Sequence, residues 1–382
     1  KQRYDLQLKG AGQTPYSRRG DGRATLPSML REYIISEAMH HLGIPSSRSL
    51  AVISTGEPVF RENVFPGAVL TRIMHSHLRI GTFEFAKRYT TPLEYQTFFQ
   101  YVLQRHFPHL INVENAALLF LDEVMHKQID LVVHWMRVGF IHGVLNTDNI
   151  NIAGQTFDYG PCAFMNTYNP KTVFSSIDSE GRYAFDQQAG IMYWNLGILA
   201  GALLPFIDTN QEKAIEQARN ILEPYESAFH QKWYAMMFRK IGIYKPQPTD
   251  VALLHELLDI MEKEKLDFTD TFSSLQHTLT NTCHADKELP INVWIEQWKT
   301  RIQKESNNVE TSIALMQKTN PIYIPRNHWV EETLTAALNG NINPMEQLLT
   351  LVRNPYEAQP NAPVFQSMPA NFDQTYRTFC GT

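Results

Sequence analysis

The chain opens on an alternation. Tyr4, Leu6 and Leu8 are interleaved with Asp5, Gln7 and Lys9, the period-two pattern of a strand. This strand, over 4–9, runs into GAGQTPYSRRGDGRAT, a loop from Gly10 to Thr25 rich in Gly and Arg. Helical spacing follows in LPSMLREYIISEAMHHL, residues 26–42, where Leu30, Ile34, Ala38 and Leu42 share a face. Pro27 suits a first turn there, and Gly43 a stop. SLAVISTGEPVFRE then reads as a hairpin turning at Thr55-Gly56-Glu57-Pro58, and GAVLTRIM (67–74) as a further strand.

From about residue 90 the pattern becomes helical. PLEYQTFFQYVLQRHF and VENAALLFLDEVMHKQIDLVVHWMRVGF are two long amphipathic stretches, the second stopped at Gly139. Further helices are expected over 191–207, 213–243, 250–266, 293–305 and 330–340. Pro355, Pro360 and Pro363 mark an irregular tail ending TFCGT. No internal repeat or low-complexity segment is visible. A mixed small part followed by a larger helical part predicts an α+β fold of two lobes, laid out like a protein kinase with an extended helical C-terminal lobe. The expected division is 1–80 for the small lobe and 81–382 for the helical lobe. The chain begins at Lys1, without Met and inside a strand, so the small lobe is expected to be incomplete, with upstream sequence missing.

Composition narrows the partners. Of 382 residues, 43% are hydrophobic and 19% charged, with a net charge of −5. No broad basic surface for nucleic acid is expected, and any cationic function must be local. Cys162, Cys283 and Cys380 lie far apart and form no CxxC pair, which argues against a zinc site or a disulfide framework and for a reducing, cytoplasmic setting. The apolar stretch from Trp194 to Ile207 is too short and interrupted to span a bilayer, and no signal peptide is visible, so no membrane partner is expected.

The densest chemistry lies in FIHGVLNTDNINIAGQTFDYG, residues 140–160. Kinases place a His, a catalytic Asp and a metal-binding Asn at this spacing and follow them with Asp-Phe-Gly. Here the position two after His142, where the kinase base would stand, is Val144. Asn149 and Asp158 remain as hard oxygen donors suited to Mg²⁺ bridging phosphates, although Asn-Thr-Asp-Asn by itself also makes a good turn. Asp148, beside Asn149, becomes the candidate base. Lys9 at a strand end and Glu32 on the following helix match the kinase strand-Lys and helix-Glu pair. Gly10, Gly12, Gly20 and Gly22, with Arg18, Arg19 and Arg23, suit a phosphate-binding loop that is not a P-loop. Arg72 and Arg79 are placed to converge on one phosphate. His75-x-His77 between them has the look of a metal pair but lacks a third ligand at suitable spacing. Trp135, Tyr159, Phe164 and Trp194 read as packing aromatics.

QLKGAGQTPYSRRGDGRA, FIHGVLNTDNINI, DYGPCAFM and WNLGILAGALLP, together with NPIYIPRNHWVEETLTAA and RNPYEAQP, closely resemble the selenoprotein O family over essentially the whole chain. The ordinary Cys in the tail fits a bacterial-type member. The resemblance implies a pseudokinase fold and transfer of AMP from ATP to Ser, Thr or Tyr hydroxyls of proteins, with Mg²⁺ (or Mn²⁺) as cofactor and the nucleotide flipped relative to kinases. It implies Lys9 and Glu32 as the ion pair, with Asp21, Gly22, Arg72 and Arg79 lining the phosphates. It further implies Asp148 as catalytic base, Asn149 and Asp158 as metal ligands with Asp158 also at the nucleotide, and Cys380 as a redox residue; Cys162 is a candidate partner by its place just after Asp-Tyr-Gly. The family's Gly-rich segment upstream of the Lys strand would fall before Lys1. Two alternatives stay open: a kinase-like phosphotransferase, against which Val144 argues, and a nucleotide-binding pseudokinase scaffold, against which the intact Lys9, Glu32, Asn149 and Asp158 argue.

Overall fold

The computed structural model describes residues 3–17, 20–280, 289–305, 309–359, 362–366, 368–369 and 372–379. It is an α+β chain in which a small antiparallel sheet and one helix precede a large helical assembly. Strand β1 (Asp5–Lys9) leads through the Gly-rich loop to β2 (Ala24–Thr25) and helix α1 (Leu26–His41). Thr25 caps α1 through its side chain, and Gly43 ends it at φ 74°. Strands β3 (Arg48–Phe60) and β4 (Val64–Met74) follow, with β4 central and paired antiparallel to β1, β2 and β3.

Two features of this sheet differ from expectation. The turn between β3 and β4 lies at 61–63, not at Thr55–Pro58. The turn-forming residues sit instead in a register shift between Ser54 and Pro58, where β3 bulges and continues. The alternation in β1 is also inverted. Leu6 and Leu8 are exposed, while Gln7 and Lys9 face inward with Leu70 and Arg72 of β4. A strand that turns a Lys and a Gln toward the interior is built to hold charge there.

The helical part begins at residue 80, ten earlier than the pattern announced: α2 (Ile80–Tyr89), α3 (Pro92–His106) and α4 (Ala116–Arg137). Gly139 ends α4 at φ 71° as expected. The short ribbon of β5 (Phe140–Ile141) and β6 (Ala163–Phe164) brackets the 142–162 loop. The rest comprises α5 (Gln188–Leu203), α6 (Gln211–Leu222), α7 (Tyr225–Lys240), α8 (Asp250–Lys263), α9 (Phe268–Thr280), α10 (Pro290–Glu305), α11 (Val309–Thr319), α12 (Asn327–Leu338), α13 (Asn343–Arg353) and α14 (Phe372–Thr375). The stretch 213–243 is two helices, not one, because Pro224 cannot continue α6.

One core cluster runs from Ile34 of α1 to Val352 of α13. Helix α1 is thus shared: its Met29 packs under the sheet, while Ile34, Ile35 and Ala38 join the helical core. The helical run Phe185–Phe206, which contains α5, is long and apolar enough to cross a membrane by length and composition, longer than the Trp194–Ile207 stretch read from the sequence. Its inner face, including Met192, Leu196, Leu199 and Leu203, belongs to this core. Trp194, expected to be packed, is 46% exposed and carries the Arg182 guanidinium over its ring. Farther along, Arg326 is buried and bridges Asp267, Asp270 and Asn166.

Candidate functional site

The inward face of β1 and β4 meets α1 and the 158–160 turn, and four charges converge there. Lys9 Nζ donates to Glu32 Oε1 and to Asp158 Oδ1. Arg72 reaches Glu32 Oε2 at 2.5 Å and Asp158 Oδ1 at 3.4 Å, and its other terminal nitrogen donates to Gln7 Oε1 at 2.9 Å. Glu32 is buried between the two cations, and its pair with Lys9 belongs to a larger balanced set. Burial alone would raise the Asp158 carboxyl, but the charges of Lys9 and Arg72 outweigh it and hold that carboxyl below the usual carboxylate range. Burial would likewise depress Lys9, yet Asp158 and Glu32 keep its pKa above the ordinary value. The Asp158 side chain remains 27% exposed. Its backbone takes the left-handed conformation, φ 65°, which Asp tolerates better than most residues.

The 142–152 loop is held by its own polar side chains. Buried His142 accepts support at both ends: its backbone N–H donates to Gln188 Oε1 at 3.1 Å, and its Nε2 lies 3.1 Å from the Phe157 carbonyl. Asn151 Nδ2 donates to Ser76 O at 2.5 Å, and the Ile80 N–H donates to Ile150 O at 3.0 Å. The loop is thereby stitched to the linker that leaves β4. Val144 is buried. Asn149 donates its side-chain amide to the Val144 carbonyl at 3.0 Å, which turns its amide oxygen away from that carbonyl.

Asp148 lies against the first turn of α2. A Cβ built on Gly81 would fall 2.4 Å from Asp148 Oδ1, so only glycine at 81 leaves room for the carboxylate. Arg79 donates to the Asp148 backbone carbonyl at 3.2 Å, and its guanidinium feels the charges of both Asp148 and Asp158. Arg72 and Arg79 both lie over the Phe157 ring, 5.4 and 5.5 Å from its centroid. The structure therefore brings together Lys9, Glu32, Arg72 and Asp158, and links Asp148 to that set through Arg79.

Other expected residues lie apart or have different partners. Asp21 accepts two bonds from Arg61 at 2.9 Å and one from the Arg23 N–H at 3.0 Å; the Arg61 bonds hold its carboxyl down to about 2. Gly22 has φ 66°, and its carbonyl accepts from the Gly12 N–H. Arg23 pairs with Glu57 at 2.8 Å. His77 faces Asp5 and His75 stacks on Tyr4, and no cluster of three or more His, Cys, Asp or Glu side chains suited to a metal occurs among the described residues. Arg18, Arg19, Cys283 and Cys380 lie outside the described residues. Cys162 is fully buried, its thiol donates to the Tyr159 carbonyl at 3.2 Å, and burial pushes it up to about 12, the environment of an inert thiol.

Three contributors escaped the sequence reading: Gln7, Phe157 and Arg31. Arg31, next to Glu32 on α1, is buried and donates to the Cys162 carbonyl at 2.7 Å and to Glu331 of α12 at 3.0 Å. For Gln7 a signal was present, since it alternates with Lys9 on the same strand face.

The arrangement offers a buried ion-pair cluster, two stacked guanidiniums and a carboxylate set apart from them, a constellation suited to holding polyphosphate and accepting a proton. A family model described as protein adenylyltransferase SelO matches residues 1–353. A Geobacillus kaustophilus protein named protein nucleotidyltransferase YdiU is 48% identical over 382 residues, covering 100% of this chain and 79% of its own length. Proteins of the same name from Brevibacillus brevis and Clostridium beijerinckii are each 47% identical, with 78% of their length covered. The chain belongs to the protein adenylyltransferase SelO family and is a nucleotidyltransferase.

Proposed function

We propose that this chain transfers AMP from ATP to Ser, Thr or Tyr hydroxyls of proteins, on a kinase-like two-lobed scaffold divided near residue 80. The observation that carries the reading is the complete Lys9–Glu32–Arg72–Asp158 cluster beside a loop whose carboxylate stands at Asp148, while the kinase base position holds buried Val144. Lys9, Arg72 and Arg79 hold the phosphates, and the Gly-rich loop that carries Asp21 and Gly22 lines them, with Asp21 held by Arg61. The acceptor oxygen attacks the α-phosphorus and forms a new O–P bond. The bond from the α-phosphorus to its bridging oxygen breaks, and pyrophosphate leaves with the electron pair. Asp148 takes the hydroxyl proton. Cys380 is a candidate redox residue on the tail.

Asn149 and Asp158 fit Mg²⁺ by donor chemistry. Both offer oxygen, Asp158 keeps an open edge, and Mg²⁺ typically takes one or two protein oxygens with the rest from water and phosphate. Bound there, the ion would supply neutralisation of charge on the leaving pyrophosphate.

Incubation of the protein with Mg²⁺ and ATP labelled at the α-phosphate should label the protein itself or a protein acceptor, while γ-label should not transfer. Transfer of γ-label alone would make it a phosphotransferase. Tight ATP binding without transfer would make it a scaffold.

A further inference from the structure

The face that carries Asp148 holds a groove of about 650 Å³. Gly81, Phe85 and Tyr89 of α2 form one wall, Asp148 one end, and Ile198 and Gly201 of α5 the other wall. Lys87 Nζ donates to the Gly201 carbonyl at 2.7 Å and fixes the two helices to each other. The charges around the groove, Asp148 and Glu84 against Lys87 and Arg88, balance in sign, and its lining mixes polar surface with apolar contact.

That contact is concentrated in one place. Phe85 is 44% exposed, Tyr89 63%, and Tyr16 of the Gly-rich loop 72%. Their rings form a row, with Phe85 centred 4.8 Å from Tyr89 and 5.6 Å from Tyr16. Clustered exposed aromatics carry a disproportionate share of binding energy at protein interfaces. Across the groove the α5 backbone is open at Gly201: beyond its own helix backbone and chain neighbours, nothing lies within 4 Å of a Cβ built there.

The geometry points to this groove as the seat of the acceptor protein. The occupant is a short extended segment that places a hydroxyl side chain at Asp148 and a large apolar neighbour on Phe85 and Tyr89. The inference rests on the reading of Asp148 as the base of AMP transfer, because the group that must reach Asp148 is the acceptor hydroxyl and the groove is continuous with that carboxylate. Its volume is that of a small-ligand pocket, which admits a few residues of chain and not a folded domain.

The test uses the protein with Mg²⁺, α-labelled ATP and a peptide library of random flanks around a central Ser, Thr or Tyr. Labelled peptides should be enriched in Leu, Ile, Met or Phe beside the hydroxyl. Gly201→Leu fills the groove from a position with free space around it and should lower peptide labelling about ten- to hundred-fold, with ATP affinity by calorimetry unchanged. Phe85→Ala combined with Tyr89→Ala, at exposed sites, should lower it in the same direction and carries the test if Gly201→Leu does not fold. Undiminished labelling in these variants, or labelled peptides without an apolar preference, would overturn the groove. So would a protein that labels itself but no peptide, a result that leaves AMP transfer standing. A parent that sediments as a dimer while Gly201→Leu sediments as a monomer would assign the groove to a second copy instead. Absence of α-label on protein and peptide alike would remove the functional reading and this inference together.

Discussion

The two halves of the site are held by different physics. Lys9, Glu32, Arg72 and Asp158 are fixed by one another: two cations and two carboxylates, each bonded to two of opposite sign. Asp148 lies outside that set: its carboxylate fits where Gly81 has no side chain, and its backbone is bonded to Asn146 Oδ1 at 3.1 Å and to Arg79 at 3.2 Å. A charge set of the first kind is coupled, because removal of one member leaves an excess of the opposite charge in a poorly solvated place. A group of the second kind fails by displacement and leaves its neighbours intact.

The largest effect should come from Asp158→Ala, which strips one carboxylate from both Lys9 and Arg72. AMP transfer should fall by about a thousandfold or more, since charge stabilisation at the phosphates is lost. Thermal unfolding should show a loss on the order of 1–3 kcal/mol, below the full cost of a broken buried pair because Glu32 still holds both cations. On the proposed reading of Asp148 as the base, Asp148→Asn should lower transfer by about a hundred- to ten-thousandfold, with unchanged melting and nucleotide affinity. A melting loss in Asp148→Asn equal to that of Asp158→Ala would erase the contrast between the two halves. Gly81→Ala should cost about ten- to a hundredfold in turnover by pushing the carboxylate aside. Combined with Asp148→Asn it should add nothing further, because both changes act through the same group.

The smallest effect concerns a charge set that is not balanced. Arg326 serves both Asp267 and Asp270, and burial together with the charge of Asp267 raises Asp270 to about 6. A carboxyl raised above its unfolded value of about 3.9 binds its proton more readily in the native state. Stability is therefore fully supported below about pH 4 and declines as pH rises toward 6. Asp270 is 43% exposed, so the effect should stay under about 1 kcal/mol. Asp270→Asn should flatten the melting temperature between pH 4 and 6, and a slope identical to the parent would remove Asp270 as its cause.

Much of the site was legible because its chemistry is compressed in sequence. Asn149 and Asp158 stand nine positions apart, and Lys9 and Glu32 flank a loop between a strand and a helix. The β3–β4 turn was misplaced because Gly56 and Pro58 are turn residues wherever they occur, and here they serve a bulge. Helix α2 went unseen because Gly81 and Thr82 dilute its first turn, yet that dilution is what admits Asp148. The inward turn of Gln7, the Arg stacking on Phe157 and the role of Arg31 depend on residues brought together only by folding, and no local period announces them.

Arg31 also bears on when the site comes into being. Its partners lie 131 positions later at Cys162 and 300 positions later at Glu331. As the ribosome releases the chain from its N-terminus, the Lys strand and α1 emerge early, but the tie from α1 to α12 cannot close until Glu331 has been made. A partly synthesised chain thus holds Lys9 and Glu32, and the Arg31 bond to the loop after Asp158, without the tie that joins α1 to α12. Synthesis of α12 sets the time at which that tie is complete.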